Sequence, residues 1–230
     1  MRKLFMKSLL LSFLGISVFG QSKTKSFNFK KGEVFDVLLV STFPDAGTLF
    51  EKYKKTAFPV AFEYTYQPQP GFATKKLILG NHLPASLVIG KWENKKNREG
   101  FLDNIVSKVP DFHEQRKALF SYFKLTYYEI PKDISFSVNA DNYNVATALW
   151  GKDEKSLTKF YSQWVNKIKK HGGKLMIKLT DGKSPTGYYH NADVFCIIEW
   201  SSKEAFDTFT KKHPLSSYEV LKDVHQFVIK

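Results

Sequence analysis

The feature that most constrains this chain is a weak self-similarity at one constant offset of 108 residues, the distance from Leu49 to Leu157. At that offset Phe35-Asp36-Val37-Leu38 lies opposite Tyr143-Asn144-Val145-Ala146, and Tyr53 lies opposite Tyr161. Val88-Ile89-Gly90-Lys91-Trp92 lies opposite Cys196-Ile197-Ile198-Glu199-Trp200 without any adjustment. Separate segments that share one offset point to two units of one design joined head to tail.

Each half reads as strand, helix, strand, strand, helix, strand. In the first, strand 34–42 leads through Pro44-Asp45 into a helix over 46–58, and the stretches 60–67 and 73–80 supply a second strand and an irregular excursion. Strand 86–92, a helix over 97–108 and strand 121–129 complete the unit. In the second, strand 142–150 precedes a helix capped by Asp153, with Leu157, Phe160, Tyr161, Trp164 and Ile168 at spacings of mostly three and four. Gly172-Gly173 ends that helix. Strands 174–180 and 193–200 follow, then a helix with Ser201 and Glu204 as a capping box, and strand 224–229 closes the chain. This order is the ferredoxin-like β-α-β-β-α-β motif, with helices on one face of an antiparallel sheet. Strands 86–92 and 193–200 are apolar at successive positions, so both of their faces need cover. The predicted fold is α+β: a first repeat over 21–131 and a second over 132–230, their sheets facing across an aromatic interior.

The second half carries a further likeness, in Lys159-Phe160-Tyr161-Ser162-Gln163-Trp164 through Lys170-His171-Gly172-Gly173-Lys174, followed by Val194 through Phe206. It resembles the dimeric α/β-barrel superfamily, and within it the small DUF1330-type domain, whose first helix ends near Gly-Gly and whose third strand runs into a Ser-x-x-Glu-Ala helix. The first half matches only through the repeat, with Phe58-Pro59-Val60 and no His-Gly-Gly. The resemblance implies a barrel that family members build from two chains and that a tandem chain builds alone. The superfamily includes antibiotic-biosynthesis-type and haem-degrading monooxygenases, but a fold does not transmit a reaction.

The first residues set the compartment. Arg2, Lys3 and Lys7 flank an apolar run from Leu9 to Phe19, and Gly20 precedes Gln21. This is the pattern of a secretory signal peptide over residues 1–20, with the run short of the roughly 17–25 residues a bilayer span needs. The expected location is periplasmic or extracellular, with no stable membrane insertion. The formal charge of +13 falls to +10 when Arg2, Lys3 and Lys7 leave. That surface favours anionic ligands. The excess is lysine, however, and Arg2, Arg98 and Arg116 are the only arginines, so nucleic acid is not an expected partner. Cys196, the single cysteine, lies in an apolar strand and reads as an inert core residue.

The candidate chemical residues are few. His171 is singled out by the resemblance, at a helix end beside Gly172-Gly173; the same place suits a helix-capping role. His190 lies in the polar-aromatic loop Gly187-Tyr188-Tyr189-His190-Asn191, where loops on a rigid sheet commonly carry binding groups. These two histidines are the candidate catalytic groups. Tyr143, Trp150, Tyr188, Tyr189, Trp92 and Trp200 are the candidate ligand contacts, Trp92 and Trp200 standing at equivalent strand ends. The histidines show no H-x-H or H-E-x-x-H spacing, no G-x-S-x-G elbow occurs, and neither metal nor cofactor is expected. The leading reading is a secreted small-molecule-binding or accessory protein taking a small aromatic or anionic molecule, as monomer or homodimer. The alternatives are a cofactor-independent monooxygenase or isomerase, and a structural or protein-interaction domain.

Overall fold

The computed structural model describes residues 23–185 and 187–230. The signal expected over 1–20 lies outside the described residues. Among those described, the chain runs β1 (Thr24–Phe29), β2 (Val34–Thr42), α1 (Gly47–Glu63), β3 (Gln67–Leu79), β4 (Ser86–Trp92), α2 (Lys95–Lys108), α3 (Phe112–Leu119) and β5 (Phe120–Glu129). It continues with β6 (Ile134–Asn139), β7 (Tyr143–Gly151), α4 (Glu154–Lys170), β8 (Gly173–Thr180), β9 (Val194–Trp200), α5 (Lys203–Lys212), a 3-10 turn (Leu215–Ser217) and β10 (Leu221–Ile229).

Strand order follows from alternation. In β2, Phe35, Val37 and Leu39 turn to one face and Val34 to the other, as a two-residue period requires. All eight strands from β2–β5 and β7–β10 join one antiparallel sheet ordered β5-β2-β4-β3-β10-β7-β9-β8. Each half thus has its fourth, first, third and second strands side by side, the ferredoxin-like order. The halves join where β3 meets β10, with Phe227 opposite Leu77. At the other end, Tyr127 of β5 exchanges two 2.9 Å backbone hydrogen bonds with Lys183, and the Leu125 N–H donates to the Tyr188 carbonyl. That strap after β8 draws the two edges together, and the sheet curls around a common interior.

The interior is packed by a feature not anticipated from sequence. β1 and β6 form a separate two-stranded antiparallel ribbon, pairing Phe27 with Phe136. Phe27, Phe29, Phe136 and Val138 from this ribbon join Phe35, Leu87, Tyr128, Phe195 and Phe227 in one buried cluster drawn from both halves. The space between the sheet faces is therefore filled with side chains. Each half has a second cluster on its outer, helix-covered face: α1, α2 and α3 over the first half, α4 and α5 over the second.

Several boundaries differ from expectation for identifiable reasons. α1 continues through Pro59 to Glu63, because burial of Ala57, Val60 and Ala61 offsets the missing donor, which costs ~3 kcal/mol in a helix interior. β3 is one long strand in place of two pieces. The last helix is capped by Ser202, whose hydroxyl accepts from the Ala205 N–H at 3.2 Å, and not by Ser201. Asp153 caps α4 as expected, accepting from the Ser156 N–H at 2.8 Å.

Candidate functional site

Register identifies matching places in the two halves. Val34 pairs with Trp92 and Asp36 with Gly90 across β2 and β4; Tyr143 pairs with Trp200 and Val145 with Ile198 across β7 and β9. So Asp36 and Gly90 stand where the second half has Val145 and Ile198: β2 and β7 match at an offset of 109, one residue away from the expected alignment of Asp36 with Asn144, while β4 and β9 keep 108. The second half fills this region with Trp164, Trp200, Phe206 and Phe209, leaving a void of about 110 Å³ without a charged side chain in its lining. The first half opens a different cavity there, of about 120 Å³.

This cavity lies between α1–α3 and the outer face of the sheet. Its walls include Tyr53, Phe58, Tyr66, Trp92 and Phe101, with Asp36, Arg98 and Arg116 among them. Gly90 makes the room: a Cβ there would stand 2.6 Å from the Tyr66 ring. Asp36 is 3% exposed and Arg98 1%. The Arg98 Nε–H lies 2.8 Å from both carboxylate oxygens of Asp36, and the Trp92 indole N–H donates to Oδ2 at 2.9 Å. The Arg98 guanidinium also faces the rings of Trp92 and Tyr127 at 5.3 and 5.0 Å. Burial pushes the Asp36 carboxyl above its ordinary range, opposed by Arg98 and the Trp92 N–H. Burial likewise raises the Tyr66 phenol.

Arg116, on α3, is also buried, and its Nε–H donates to the Tyr53 hydroxyl at 3.0 Å. Its guanidinium lies 4.2 Å from the Phe112 ring centre, 4.6 Å from Phe123 and 5.2 Å from Tyr188. Among the described residues no carboxylate makes an ion pair with it. The Nη1 atoms of Arg98 and Arg116 are both buried without a hydrogen-bond partner.

A second concavity, of about 530 Å³, opens at the mouth of the curled sheet, with Tyr122, Trp150, Tyr189, His190 and His225 in its walls. The His225 Nε2–H donates to the His82 carbonyl at 2.8 Å. Since a carbonyl only accepts, the neutral His225 ring presents Nδ1 as a lone pair, to which His190 Nε2–H donates at 3.1 Å. The same assignment leaves Nδ1 of neutral His190 as its unprotonated nitrogen. Burial, with His225 and Lys124 adding to it, brings the His190 pKa down to about 3. Trp150 meets His190 edge to face at 5.1 Å, and the His82 ring stacks on Tyr122 at 3.9 Å.

The residues singled out from sequence are thus dispersed. Trp150, Tyr189 and His190 come together at the mouth, Tyr189 with 56% of its surface exposed. Trp92 lines the helix-side cavity. Tyr188 turns from the strap toward Arg116, its hydroxyl 3.2 Å from His113 Nδ1. Trp200 packs on Phe206 and Phe209, and Tyr143 lies against Phe206. His171 stands at the end of α4, where its Nδ1–H donates to the Lys167 carbonyl at 2.8 Å and its ring meets Phe209 and His213. Cys196 is fully buried, its thiol pushed up to about 12 by burial. Among the described residues no group of three His, Cys, Asp or Glu side chains is placed to hold a metal ion.

Sequence reasoning missed Asp36, Arg98, Arg116, Tyr53 and Tyr66. One signal was present: a carboxylate interrupting the apolar run Val34-Phe35-Asp36-Val37-Leu38-Leu39-Val40 needs a buried partner.

No protein-family model matches the chain, and no curated protein matches it. Among solved structures, an anthrone oxidase-like protein is similar at 14% identity and a TM-score of 0.45, covering 89% of this chain and 94% of its own. Chlorite dismutase from Candidatus Nitrospira defluvii, with imidazole bound, is similar at 8% identity and a TM-score of 0.49, covering 88% of this chain and 92% of its own. At these values the likeness says nothing about ligand or reaction.

Proposed function

We propose that this is an exported small-molecule-binding protein, working in the periplasm or outside the cell, whose ligand enters the helix-side cavity of the first half. One observation carries the reading: at matching places the second half has Val145 and Ile198 in the wall of a void without charged side chains, while the first has Asp36 and Gly90 and builds a buried ion pair and a second arginine into its aromatic cavity. Aromatic walls with a few fixed polar groups are the usual make-up of a ligand site. The volume is of the order of a cavity, about 150 Å³, that takes a single benzene ring. The common strand order of the halves supports the further proposal that the chain is a tandem dimeric α/β-barrel whose second half is of the DUF1330 type.

The test is a calorimetric and thermal-shift survey of single-ring compounds on the mature protein and on Gly90→Val. The variant drives Tyr66 into the cavity at a place where the second half already carries a branched residue. The reading expects binding by the wild type and its loss in a folded Gly90→Val; equal binding by both would overturn it.

The mouth supports a second reading, a cofactor-independent enzyme acting on an electron-rich ring. Its support is the linked pair His190 and His225 in a cavity walled by Trp150 and Tyr189, where a His190 ring kept neutral by burial offers an uncharged acceptor to a phenol hydroxyl. Oxygen uptake with hydroxylated aromatic compounds, abolished in His190→Gln, is the expected result; no turnover of any such compound would remove this reading.

A further inference from the structure

The charge balance of the helix-side cavity indicates what its occupant must carry. Asp36 is fully engaged, since Arg98 Nε–H reaches both of its oxygens and Trp92 N–H reaches one. Its single negative charge is matched by Arg98. Arg116 is then a buried cation with no carboxylate of its own among the described residues, held by the Tyr53 and Tyr188 hydroxyls and with aromatic rings around it. Aromatic faces attract a guanidinium but do not accept its in-plane N–H groups. Both Arg98 and Arg116 retain a buried Nη1 without a partner, and both line this one cavity. A buried donor left unsatisfied is costly, and a buried unpaired cation more so.

Geometry narrows the partner. Rings of Phe112, Phe123 and Tyr188 lie over Arg116, and those of Trp92 and Tyr127 over Arg98, within cation–π distance. What remains is the planar edge of each guanidinium, which matches the planar oxygen pair of a carboxylate. Resting on the reading that this cavity is the ligand site, we infer that its natural occupant is a monocarboxylate on a single aromatic ring, the carboxylate accepting from Nη1 of Arg98 and Arg116 and the ring lying among Tyr53, Tyr66 and Phe58. The chain concentrates its rarest cation for this purpose: after the leader, Arg98 and Arg116 are the only arginines, and both are here.

The probes are benzoate and its neutral near-isostere benzamide, titrated into the full mature protein by calorimetry. Benzoate binds about tenfold to a hundredfold more tightly than benzamide if the arginines receive its charge. In Arg116→Gln that preference shrinks to a few-fold. Equal affinity of the two compounds for the wild type overturns the carboxylate inference and leaves the cavity reading standing. Binding of neither at millimolar concentration overturns both. The wild-type contrast needs no substitution, so it decides the matter even if Arg116→Gln does not fold.

Discussion

Phe27 and Phe136 stack with ring centres 4.7 Å apart and planes inclined by 16°, as direct partners across the β1–β6 ribbon. Each follows a serine, and those serines lie at matching places: Ser26-Phe27 precedes β2 as Ser135-Phe136 precedes β7. This pair sits in the cluster to which both halves contribute. Truncating either ring leaves a cavity where the sheet cannot readily collapse. Phe27→Ala and Phe136→Ala are each expected to cost about 3–5 kcal/mol. The double variant should cost less than the two together, because both remove the same contact. Urea unfolding of the three variants checks this.

The buried ion pair gives a second expectation. Asp36→Asn leaves Arg98 without its carboxylate in a dry site and should destabilise by about 3–5 kcal/mol. Asp36→Val combined with Arg98→Met copies the apolar solution of Val145 in the second half and should recover most of that loss. Denaturation midpoints of single and double variants decide it; a double variant as unstable as Asp36→Asn would show that the pair is not the source of the cost.

Acid should weaken the mouth. Burial holds His190 at about 3 and lowers His225 as well. Below their ordinary pKa of 6.5 the unfolded chain takes up protons that the folded one refuses, so stability falls as pH drops from 6.5 toward 3. The slope is about 1.4 kcal/mol per pH unit for each histidine that stays neutral. Unfolding free energies at pH 7.5 and 5.5 are expected to differ less in His190→Gln than in the wild type. An equal difference would mean that His190 takes up its proton in the folded state.

The strap that closes the sheet rests on a close approach. A Cβ on Gly182 would stand 2.5 Å from the Tyr128 ring and 2.6 Å from Thr126. Gly182→Val is therefore expected to lift Lys183 and Tyr188 from β5, at a cost of about 1–3 kcal/mol. The amide hydrogens of Leu125 and Tyr127, whose acceptors are the Tyr188 and Lys183 carbonyls, should then exchange faster while those of β7 do not. Hydrogen exchange resolved by residue reads this out.

Much of the fold was legible because β4 and β9 are apolar on both faces and because α4 pairs a polar cap with a regular apolar stripe. β1 and β6 were not, since six residues of alternating pattern define a strand only once a partner more than a hundred residues away is known. α3 follows α2 closely, and its eight residues carry too few apolar positions to announce a helix. Pro59 concealed the end of α1. The site was harder still. Trp92 was recognisable as an aromatic at a strand end, but Arg98 and Arg116 converge only because α2 and α3 pack on the same sheet face, which no local pattern states. Their scarcity argued against nucleic acid; that both would be buried in one cavity was not readable from spacing.

That the two halves share a strand order on a single polypeptide has one more effect. In a symmetric pair of separate chains, any replacement enters twice and every pocket changes with its twin. Here an aspartate and a glycine stand in one half while a valine and an isoleucine hold the corresponding places in the other. One side can keep the framework sound while the other carries polar groups.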